Sequence, residues 1–403
     1  MLLTIDIGTS TFKSAVWDYH GHCISIFCVP VCAEYDDVTK HEINPYLINP
    51  SVWIKSFEEC CKKHNDLKKI EVIIISGNGP TLVPVMQEEC ENARLWQDRR
   101  AEKYANEVSA LMGGYVDAKF FLPKILYIKN EEEKVYEKTD FFLGCPEYLA
   151  FKLTRQAKTV IPCDGFDRWF WNDDVLEKLS LDKEKFPSFI RPGGVFGTII
   201  PSAAQHYGFK NDIPVISGGP DFFAAILGSG VKEPGQICNR TGTSDGINLC
   251  TKNHVNKDKL MSYRHPVKPF WNLSGIIEST GKKIEEGFKK SGFNEFEKYL
   301  NSETARQIFK EICYSVKDVI NTMENAGEET LHIHVTGGLS NCEPLNQMKA
   351  DITGIEVLEG VHKEAELLGL VMIGSCFKGE FASLKEASEA LYTVKKRYLP
   401  RIH

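Results

Sequence analysis

The chain begins Met-Leu-Leu-Thr-Ile-Asp-Ile-Gly-Thr-Ser-Thr-Phe-Lys over residues 1–13. Leu2 to Ile7 is apolar and rich in β-branched residues, which predicts a buried first strand, and a second strand is predicted from Phe12 to Trp17. Gly8 permits a tight turn between them. Because Thr9 and Ser10 add hydroxyl donors to the N–H groups of this turn, the loop is suited to phosphate oxygens. For this single Gly-Thr-Ser taken alone, an ordinary hairpin is the favoured explanation.

Two charged side chains flank this loop. The carboxylate of Asp6 would repel a phosphate there unless a divalent cation lay between them, and magnesium is the cation that accompanies phosphates in proteins. Asp6 is therefore predicted to hold Mg²⁺ through water. Lys13 is predicted to neutralise phosphate charge, with a solvated strand residue as the alternative.

The same tripeptide recurs at Gly242, Thr243 and Ser244, followed by a strand-like run from Gly246 to Leu249. Two hairpins with the same loop in one chain indicate two similar halves that face a shared nucleotide. We therefore interpret both Gly-Thr-Ser loops as phosphate cradles.

With both loops in place, the sequence resembles the FGGY family of carbohydrate kinases, within the superfamily of actin, Hsp70 and sugar kinases. The resemblance runs along nearly the whole chain. It implies an α/β fold with two ribonuclease H-like (actin-like ATPase) domains and a nucleotide cleft between them. The expected domains are residues 1–230 and a shortened second domain, 231–403. The implied activity is ATP-dependent phosphorylation of a hydroxyl on a small carbohydrate, such as a ketose or a polyol, with Mg²⁺.

The strongest chemical signal lies in Asp-Ile-Pro-Val-Ile-Ser-Gly-Gly-Pro-Asp (212–221). A buried strand runs into two glycines, and an apolar helix is predicted from Phe222 to Leu227. The family places its catalytic base in such a Gly-Gly-x-Asp block, so the resemblance implies that Asp221 accepts the proton of the attacking hydroxyl. A plain helix N-cap is the alternative.

A second predicted core strand, Ile70 to Ser76, ends in Gly-Asn-Gly-Pro-Thr (77–81). In a layered α/β fold, ligands collect beyond the carboxyl ends of such strands. Asn78, Gly79 and Thr81 are therefore predicted to contact the substrate, although a Gly-Pro turn needs no function to explain it.

A third block, Leu-Trp-Gln-Asp-Arg-Arg (95–100), is predicted to open a helix that reaches Met112. It is similar to a block that lines the sugar pocket in the family. An aromatic ring stacks on a sugar ring, and Asp and Arg form hydrogen bonds with hydroxyls. Trp96, Asp98 and Arg99 (or Arg100) are thus predicted sugar ligands, with a capped surface helix as the alternative. Asp164 is a secondary pocket candidate that a solvated turn explains equally well.

Towards the end of the chain, His332 to Asn341 reads as a strand that opens onto two glycines. The family binds the ribose and adenine of the nucleotide at this block. The resemblance therefore implies that Gly337, Gly338 and Asn341 belong to the ATP site.

The match is imperfect in two places. The family usually carries large polar side chains where this chain has Gly79 and Pro80, so the sugar must be held differently. No block like the family's Pro-Tyr-x-x-Gly-Glu-Arg occurs between residues 281 and 325. Two explanations stay open: a partner chain in a homodimer replaces the missing segment, or the second domain is reduced. A non-catalytic sugar or nucleotide sensor is therefore the main alternative. An ATPase activator with an iron–sulfur cluster is disfavoured, because no Cys-x-x-Cys pair exists.

Composition sets the remaining limits. The 403 residues exceed one typical core, so two domains are expected. A formal net charge of −7 argues against nucleic acid or a membrane surface as partner. Without a signal-peptide pattern or a membrane-spanning apolar run, a cytoplasmic location is expected. The 13 scattered cysteines are expected to be reduced thiols rather than disulfides or metal ligands.

Overall fold

The computed structural model describes residues 1–31, 44–86, 89–242, 244–256, 260–325 and 328–401. The chain forms two compact units. Unit 1 comprises Met1–Asp221 and Ile373–Lys378, and unit 2 comprises Phe222–Met372 and Gly379–His403. The main crossing from unit 1 to unit 2 thus comes directly after Asp221, whereas the predicted boundary after residue 230 lies further along the chain.

Unit 1 is a mixed α/β structure. Its strands are β1 (Leu2–Ile7), β2 (Thr11–Trp17), β3 (Cys23–Pro30), β4 (Leu47–Ile48), β5 (Val72–Gly77), β6 (Leu82–Met86), β7 (Glu89–Cys90), β8 (Ala93–Arg94), β9 (Phe141–Gly144), β10 (Thr159–Val160), β11 (Phe189–Ile190), β12 (Val195–Thr198) and β13 (Pro214–Pro220). Its helices are α1 (Ser51–Lys63), α2 (Glu102–Met112), α3 (Phe121–Glu131), α4 (Glu133–Lys138), α5 (Cys145–Thr154), α6 (Asp173–Lys178) and α7 (Pro201–Tyr207).

The main sheet of unit 1 has, within the described residues, the strand order β12-β13-β5-β1-β2-β3. β1, β2 and β3 form an antiparallel meander, while β5 pairs parallel with β1, and β13 pairs parallel with β5. Helices α1 and α5 pack on one face of this sheet, where Phe12, Phe57 and Leu149 share one buried core. All six residues of β1 are buried, as expected for a central strand that is covered on both faces.

Unit 2 repeats this construction. Its strands are β14 (Gln236–Thr241), β15 (Asp245–Thr251), β16 (Met261–Arg264), β17 (Trp271–Ile277), β18 (His332–Gly337), β19 (Glu356–Gly360) and β20 (Val394–Tyr398). The helices after Pro220 are α8 (Asp221–Gly228), α9 (Thr280–Ser291), α10 (Phe296–Leu300), α11 (Glu303–Glu324), α12 (Glu343–Thr353), α13 (Ala365–Phe377) and α14 (Leu384–Leu391).

The sheet of unit 2 has, in the part of the chain that the structure describes, the order β16-β17-β15-β14-β18-β19-β20. β14, β15 and β17 form an antiparallel meander, β18 pairs parallel with β14, and β19 pairs parallel with β18. This is the pairing pattern of β1, β2, β3, β5 and β13. The two Gly-Thr-Ser loops occupy equivalent places, each joining the first two strands of its meander.

One predicted helix boundary is wrong. The Leu95–Arg100 block was expected to open a helix, but α2 begins only at Glu102. The N–H of Asp98 donates to the carbonyl of Leu95 at 3.0 Å, which closes a turn, and the Asp98 carboxylate accepts the N–H of Arg100 at 3.0 Å. Side chains that bond nearby backbone groups compete with helix formation, so this block is a loop.

The outermost strands of the two sheets differ in polarity. On β3, at one edge of the unit 1 sheet, Ile24 and Ile26 are 57% and 41% exposed. On β20, at one edge of the unit 2 sheet, the exposed positions are Lys395, Lys396 and Arg397. Among the residues described, no helix combines the length and apolarity that a membrane crossing requires.

Candidate active site

In unit 1 the carboxyl ends of three adjacent parallel strands are level with one another. Asp6 on β1 pairs in register with Ser76 on β5, and Ser76 pairs with Gly219 on β13. Because neighbouring strands lie about 4.8 Å apart, the backbones at Asp6 and Gly219 are roughly 10 Å apart. Asp221 follows Gly219 by two residues and begins α8. One edge of the sheet therefore carries both predicted functional carboxylates.

A β-bulge near the end of β13 changes the path of the chain just before Asp221. The register with β5 shifts between Ser217 and Gly219, and the hydroxyl of Ser217 accepts the N–H of Gly219 at 3.0 Å. Bulges of this kind re-aim the chain next to functional sites. The bulge is thus the local feature that sets where Asp221 leaves the sheet.

The first Gly-Thr-Ser loop is a tight hairpin between β1 and β2. The N–H of Gly8 donates to the carbonyl of Thr11 at 3.0 Å. A Cβ atom at Gly8 would lie 2.7 Å from that carbonyl oxygen, so only glycine fits there. Thr9 is half-buried and Ser10 is exposed, which leaves the tip of the loop open to a ligand.

Asp6 suits a magnesium ion that is held mainly by other ligands. Its carboxylate is buried, and Lys13 Nζ lies 3.9 Å from its Oδ2 atom. The described ranges contain no group of three or more His, Cys, Asp or Glu side chains that could hold a metal ion. Mg²⁺ commonly binds one or two carboxylates and completes its shell with phosphates and water. A single buried carboxylate beside a phosphate loop fits that chemistry.

The loop after β5 uses its polar side chains internally. The N–H and the Nδ2 of Asn78 donate to the carbonyl of Ile7 at 2.8 and 2.9 Å. The hydroxyl of Thr81 donates to Oδ1 of Asn78 and accepts the N–H of Trp96 at 3.1 Å. Asn78 and Thr81 therefore fix the loop and Trp96 in place. The geometry gives these two side chains a positioning role. Gly79 lies next to Pro220, the residue before Asp221.

Lys124, on α3, joins the loop after β5 to the 95–100 block. Its ammonium donates to the carbonyls of Pro80 and Leu95, each at 2.8 Å. The side chain is only 2% exposed, and burial lowers the pKa of Lys124 to about 7, although the carboxylates of Asp98 and Asp117 oppose this shift. Sequence reasoning missed this residue. The available signal was a lone lysine inside an otherwise apolar stretch, Phe-Leu-Pro-Lys-Ile-Leu.

The Trp96 block presents fewer open polar groups than its sequence suggests. The carboxylate of Asp98 is buried and accepts hydrogen bonds from Nε and Nη2 of Arg100 at 3.0 and 2.7 Å. Burial alone would raise the pKa of Asp98, but the hydrogen bonds from Arg100 hold it below its usual value. Arg99 is exposed and lies 3.7 Å from a carboxylate oxygen of Asp117.

Asp164, the remaining predicted sugar residue, has its contacts with residues outside the Trp96 block. Asp164 is exposed, and its carboxylate lies 3.3 Å from the guanidinium of Arg191, which also donates to Asp167. By contrast, Trp96 is half-buried and is contacted by Lys119, whose ammonium lies 5.5 Å from the ring centroid. Lys119 is a site candidate that sequence reasoning did not identify.

Cys145 is buried near the ends of these strands, within electrostatic range of both predicted functional carboxylates. Its thiol donates to the carbonyl of Asn78 at 3.2 Å. Burial, together with the carboxylates of Glu147, Asp221 and Asp6, raises the pKa of Cys145 well above its usual value. The thiol is therefore neutral and packs beneath this edge of the sheet.

In unit 2 the second Gly-Thr-Ser loop lies beside the end of β18. The N–H of Gly242 donates to the carbonyl of Ser244 at 3.2 Å, and Thr243 lies outside the described residues. Gly337 has a φ of +89°, and a Cβ atom there would lie 2.4 Å from the carbonyl oxygen of Thr241. Only glycine permits this close approach. Gly338 and Asn341 are exposed next to it.

A buried polar cluster that sequence reasoning missed supports this second loop. The carboxylate of Asp245 accepts hydrogen bonds from Thr280 at 2.8 Å and from Asn239 at 3.2 Å, and Lys349 donates to the side chain of Asn239. Burial raises the pKa of Asp245, although the charge of Lys349 opposes this. The cluster fixes the base of the loop from within the unit.

Comparison with known proteins identifies the family. Residues 1–228 match the model of the FGGY family of carbohydrate kinases, N-terminal domain, and residues 287–376 match the model of the C-terminal domain of the same family. The chain belongs to the FGGY family of carbohydrate kinases. The resemblance inferred from the two Gly-Thr-Ser loops and the Gly-Gly-x-Asp block is thereby confirmed.

Relatives of this FGGY kinase cover nearly its whole length. Xylulose kinases from Bacillus subtilis and Staphylococcus xylosus are 21% and 24% identical to it over 99% of the chain, which corresponds to 93% and 95% of those proteins. The human FGGY carbohydrate kinase domain-containing protein is 23% identical over 99% of this chain and 92% of its own length.

Solved structures confirm the predicted α/β fold class. Ligand-bound xylulose kinase from Lactobacillus acidophilus superposes with a TM-score of 0.82 at 17% identity, covering 100% of this chain and 94% of that one. Plasmodium falciparum glycerol kinase with ADP gives 0.80 at 16% identity, covering 99% and 94%. As an FGGY kinase, the protein is a phosphotransferase that uses ATP and acts on a small sugar.

Proposed function

We propose that the protein transfers the γ-phosphate of ATP to a hydroxyl of a small ketose of the xylulose kind, or of a related polyol, with Asp221 as the general base. The observation that carries this proposal is the level alignment of Asp6, Ser76 and Gly219 on three parallel strands. It brings a phosphate loop, a carboxylate suited to magnesium and a second carboxylate to one sheet edge. The names of the relatives favour a ketose.

The chemistry asked of Asp221 is a single proton transfer. As the substrate oxygen bonds to the γ-phosphorus, the bond from that phosphorus to the β–γ bridging oxygen breaks, and ADP leaves. The Asp221 carboxylate accepts the hydroxyl proton. Because phosphoryl transfer has a loose transition state, positioning contributes more than the strength of the base, and a carboxylate suffices.

The loops supply donors for phosphate oxygens. The backbone and hydroxyl groups of Gly8, Thr9 and Ser10 are assigned to phosphate oxygens, as are those of Gly242, Thr243 and Ser244. Lys13 is assigned to neutralise phosphate charge. Mg²⁺, when bound, neutralises the charge that develops on the phosphate oxygens. Asp6 would hold it through water.

The outer parts of the site bind the two organic groups. Gly337, Gly338 and Asn341 are assigned to the ribose and adenine, where bare backbone permits close approach. The ring of Trp96 is assigned to the sugar, with Gly79 beside the reacting hydroxyl. Asn78, Thr81 and Asp98 bond within the protein. Arg99 and Lys119 are therefore assigned to sugar hydroxyls, and Asp164, ion-paired with Arg191, is assigned to the margin of the pocket.

A non-catalytic sensor is the second candidate. It is favoured by Gly79 and Pro80, which offer no side-chain donor, and by the internal hydrogen bonds of Asn78 and Thr81. The retention of Asp221 favours the enzyme, because a sensor does not need a base.

An ATP-consumption screen with Mg²⁺ tests the proposal. The acceptors are ketopentoses, 6-deoxyketoses, gluconate, glycerol and tetritols, and Mg·ATP binding is measured in parallel by calorimetry. We expect sugar-dependent ADP formation with a ketose. Mg·ATP binding without transfer to any of these acceptors would contradict the enzyme and support the sensor.

A further inference from the structure

Trp96 is joined to the first phosphate loop by two separate routes. Its indole Nε1–H donates directly to Oγ1 of Thr9 at 3.0 Å. Its backbone N–H begins a chain of hydrogen bonds through the hydroxyl of Thr81 and the amide of Asn78 to the carbonyl of Ile7. Ile7 immediately precedes Gly8, so both routes end on the same loop.

The direction of these hydrogen bonds determines what the Thr9 hydroxyl can do. A threonine hydroxyl has one proton to donate and two lone pairs that accept. Because the Trp96 indole can only donate, it occupies a lone pair of Thr9 and leaves the hydroxyl proton to be given elsewhere. A phosphate oxygen, which only accepts, is the matching partner at the open tip of this loop.

We propose that Trp96 is a positioning residue for ATP as well as the platform for the sugar. Its indole N–H fixes the Thr9 hydroxyl so that the hydroxyl proton points to the phosphate. This inference rests on the proposed function. Because the same side chain contacts the sugar, occupation of the sugar site stabilises the contact, and the two substrates raise each other's affinity by the same factor.

The chain contains a matched control for this contact. Trp17 Nε1 donates to Oγ1 of Thr4 at 2.9 Å, the same type of hydrogen bond in the same unit. Trp17 pairs in register with Leu2, whereas Lys13 pairs with Asp6 next to the loop, so the control lies at the opposite end of β1 and β2. Loss of an indole-to-threonine hydrogen bond can therefore be separated from loss of loop positioning.

The test is a double-mutant cycle on the affinity for the magnesium complex of a non-hydrolysable ATP analogue, measured by calorimetry with and without xylulose, so that no phosphate is transferred during the titration. Trp96→Phe keeps the ring and removes the N–H, and Thr9→Val keeps the shape and removes the hydroxyl. We expect each to weaken Mg·ATP binding by ~3–10-fold, the range for one hydrogen bond, and the double variant to be little weaker than Thr9→Val alone. Thr9→Ser, which keeps the hydroxyl, should bind the nucleotide as tightly as the wild type does. Trp17→Phe should lower the thermal stability of the protein but leave the nucleotide affinity unchanged.

Two results would overturn the inference while leaving the proposed function intact. One is a wild-type protein that transfers phosphate but in which the two substitutions are additive. The other is equal affinity for the non-hydrolysable ATP analogue with and without xylulose, in a protein that phosphorylates xylulose when ATP is supplied. If the wild type neither binds Mg·ATP nor transfers phosphate to any acceptor in the screen, the proposed function itself is wrong, and this inference fails with it.

Discussion

Asp6 and Gly219 lie at one level of the unit 1 sheet, on opposite sides of Ser76. This arrangement separates the two predicted carboxylate roles in space. Asp6 remains within its strand beside the phosphate loop, whereas Asp221 begins a helix two residues after Gly219. Substitutions at the two positions should therefore change different steps of the reaction.

Asp221→Asn should abolish phosphoryl transfer without unfolding the protein. The amide keeps the size of the side chain but cannot accept the hydroxyl proton, and general-base contributions are typically ~10²–10⁴-fold. We expect kcat to fall by that factor while Mg·ATP affinity, measured by calorimetry, stays near the wild-type value. A modest change in stability with normal turnover would show that Asp221 is only a helix cap.

Asp6→Asn should weaken magnesium-dependent turnover much more than folding. Loss of the carboxylate removes the water-mediated ligand, and such charge stabilisation is worth several kcal/mol, so we expect kcat to fall ~10²-fold or more. Initial rates across a Mg²⁺ titration check this, with thermal melting as the measure of folding. Asp174→Asn, at an exposed position in the same unit, is the control. Full activity of Asp6→Asn would exclude the metal role.

Lys124→Met should produce a stability difference that depends on pH. Burial lowers the pKa of Lys124 to about 7 from 10.5, so between these values the unfolded state binds a proton that the folded state lacks. The free energy of unfolding of the wild type therefore rises with pH in this window. Since the methionine does not titrate, the wild-type advantage should grow by about 2 kcal/mol from pH 7 to pH 9.

Urea unfolding of both proteins at the two pH values measures this effect. Lys68→Met, at an exposed position, is the control for the loss of a lysine as such. If the difference in unfolding free energy between Lys124→Met and the wild type is the same at both pH values, the pKa of Lys124 is not lowered in the folded protein. The KM for the sugar should also increase in Lys124→Met, because Pro80 and Leu95 lose their common donor.

Three buried histidines should make the fold sensitive to acid. Burial lowers the pKa of His64 and of His334 to about 4, and that of His265 to about 3. Below pH 6.5 the unfolded state binds protons that the folded state does not, so stability is lost as the pH falls from about 6.5 to 4. We expect a loss of about 1–3 kcal/mol per histidine in urea unfolding.

His265→Asn tests one of these sites. Nδ1 of His265 accepts the N–H of Val267 at 3.0 Å, and the asparagine Oδ1 can take over that hydrogen bond. The variant should therefore lose less stability than the wild type between pH 7 and pH 5. If both proteins lose the same amount of stability, His265 takes up no proton when the protein unfolds between pH 7 and pH 5.

Much of the fold follows from local patterns. The apolar, β-branched run from Leu2 to Ile7 predicts β1 to the residue. The recurrence of Gly-Thr-Ser predicts the duplicated meander. In each case the signal lies within a few neighbouring residues, where propensity and turn chemistry are informative.

The roles of individual site residues depend on contacts that are distant in sequence. Asn78 and Thr81 were predicted to meet the sugar, but Asn78 bonds to Ile7 and Thr81 bonds to Trp96. Lys124 reaches Pro80 and Leu95 from α3. Nothing in a local window indicates which carbonyl a side chain will meet. The hydrogen bonds between the candidate residues were therefore not predictable from the sequence, and the roles of these residues in binding and catalysis stay predictions.

The contrast between β3 and β20 has a consequence for handling the protein in concentrated solution. A strand with open backbone groups and apolar side chains invites lateral pairing with another chain, whereas like charges oppose it. The basic run on β20 discourages such pairing by repulsion, whereas on β3 the exposed Ile24 and Ile26 carry no charge that would oppose it, as far as the described residues show. When molecules misassemble during refolding, we expect their first intermolecular contacts to form along β3.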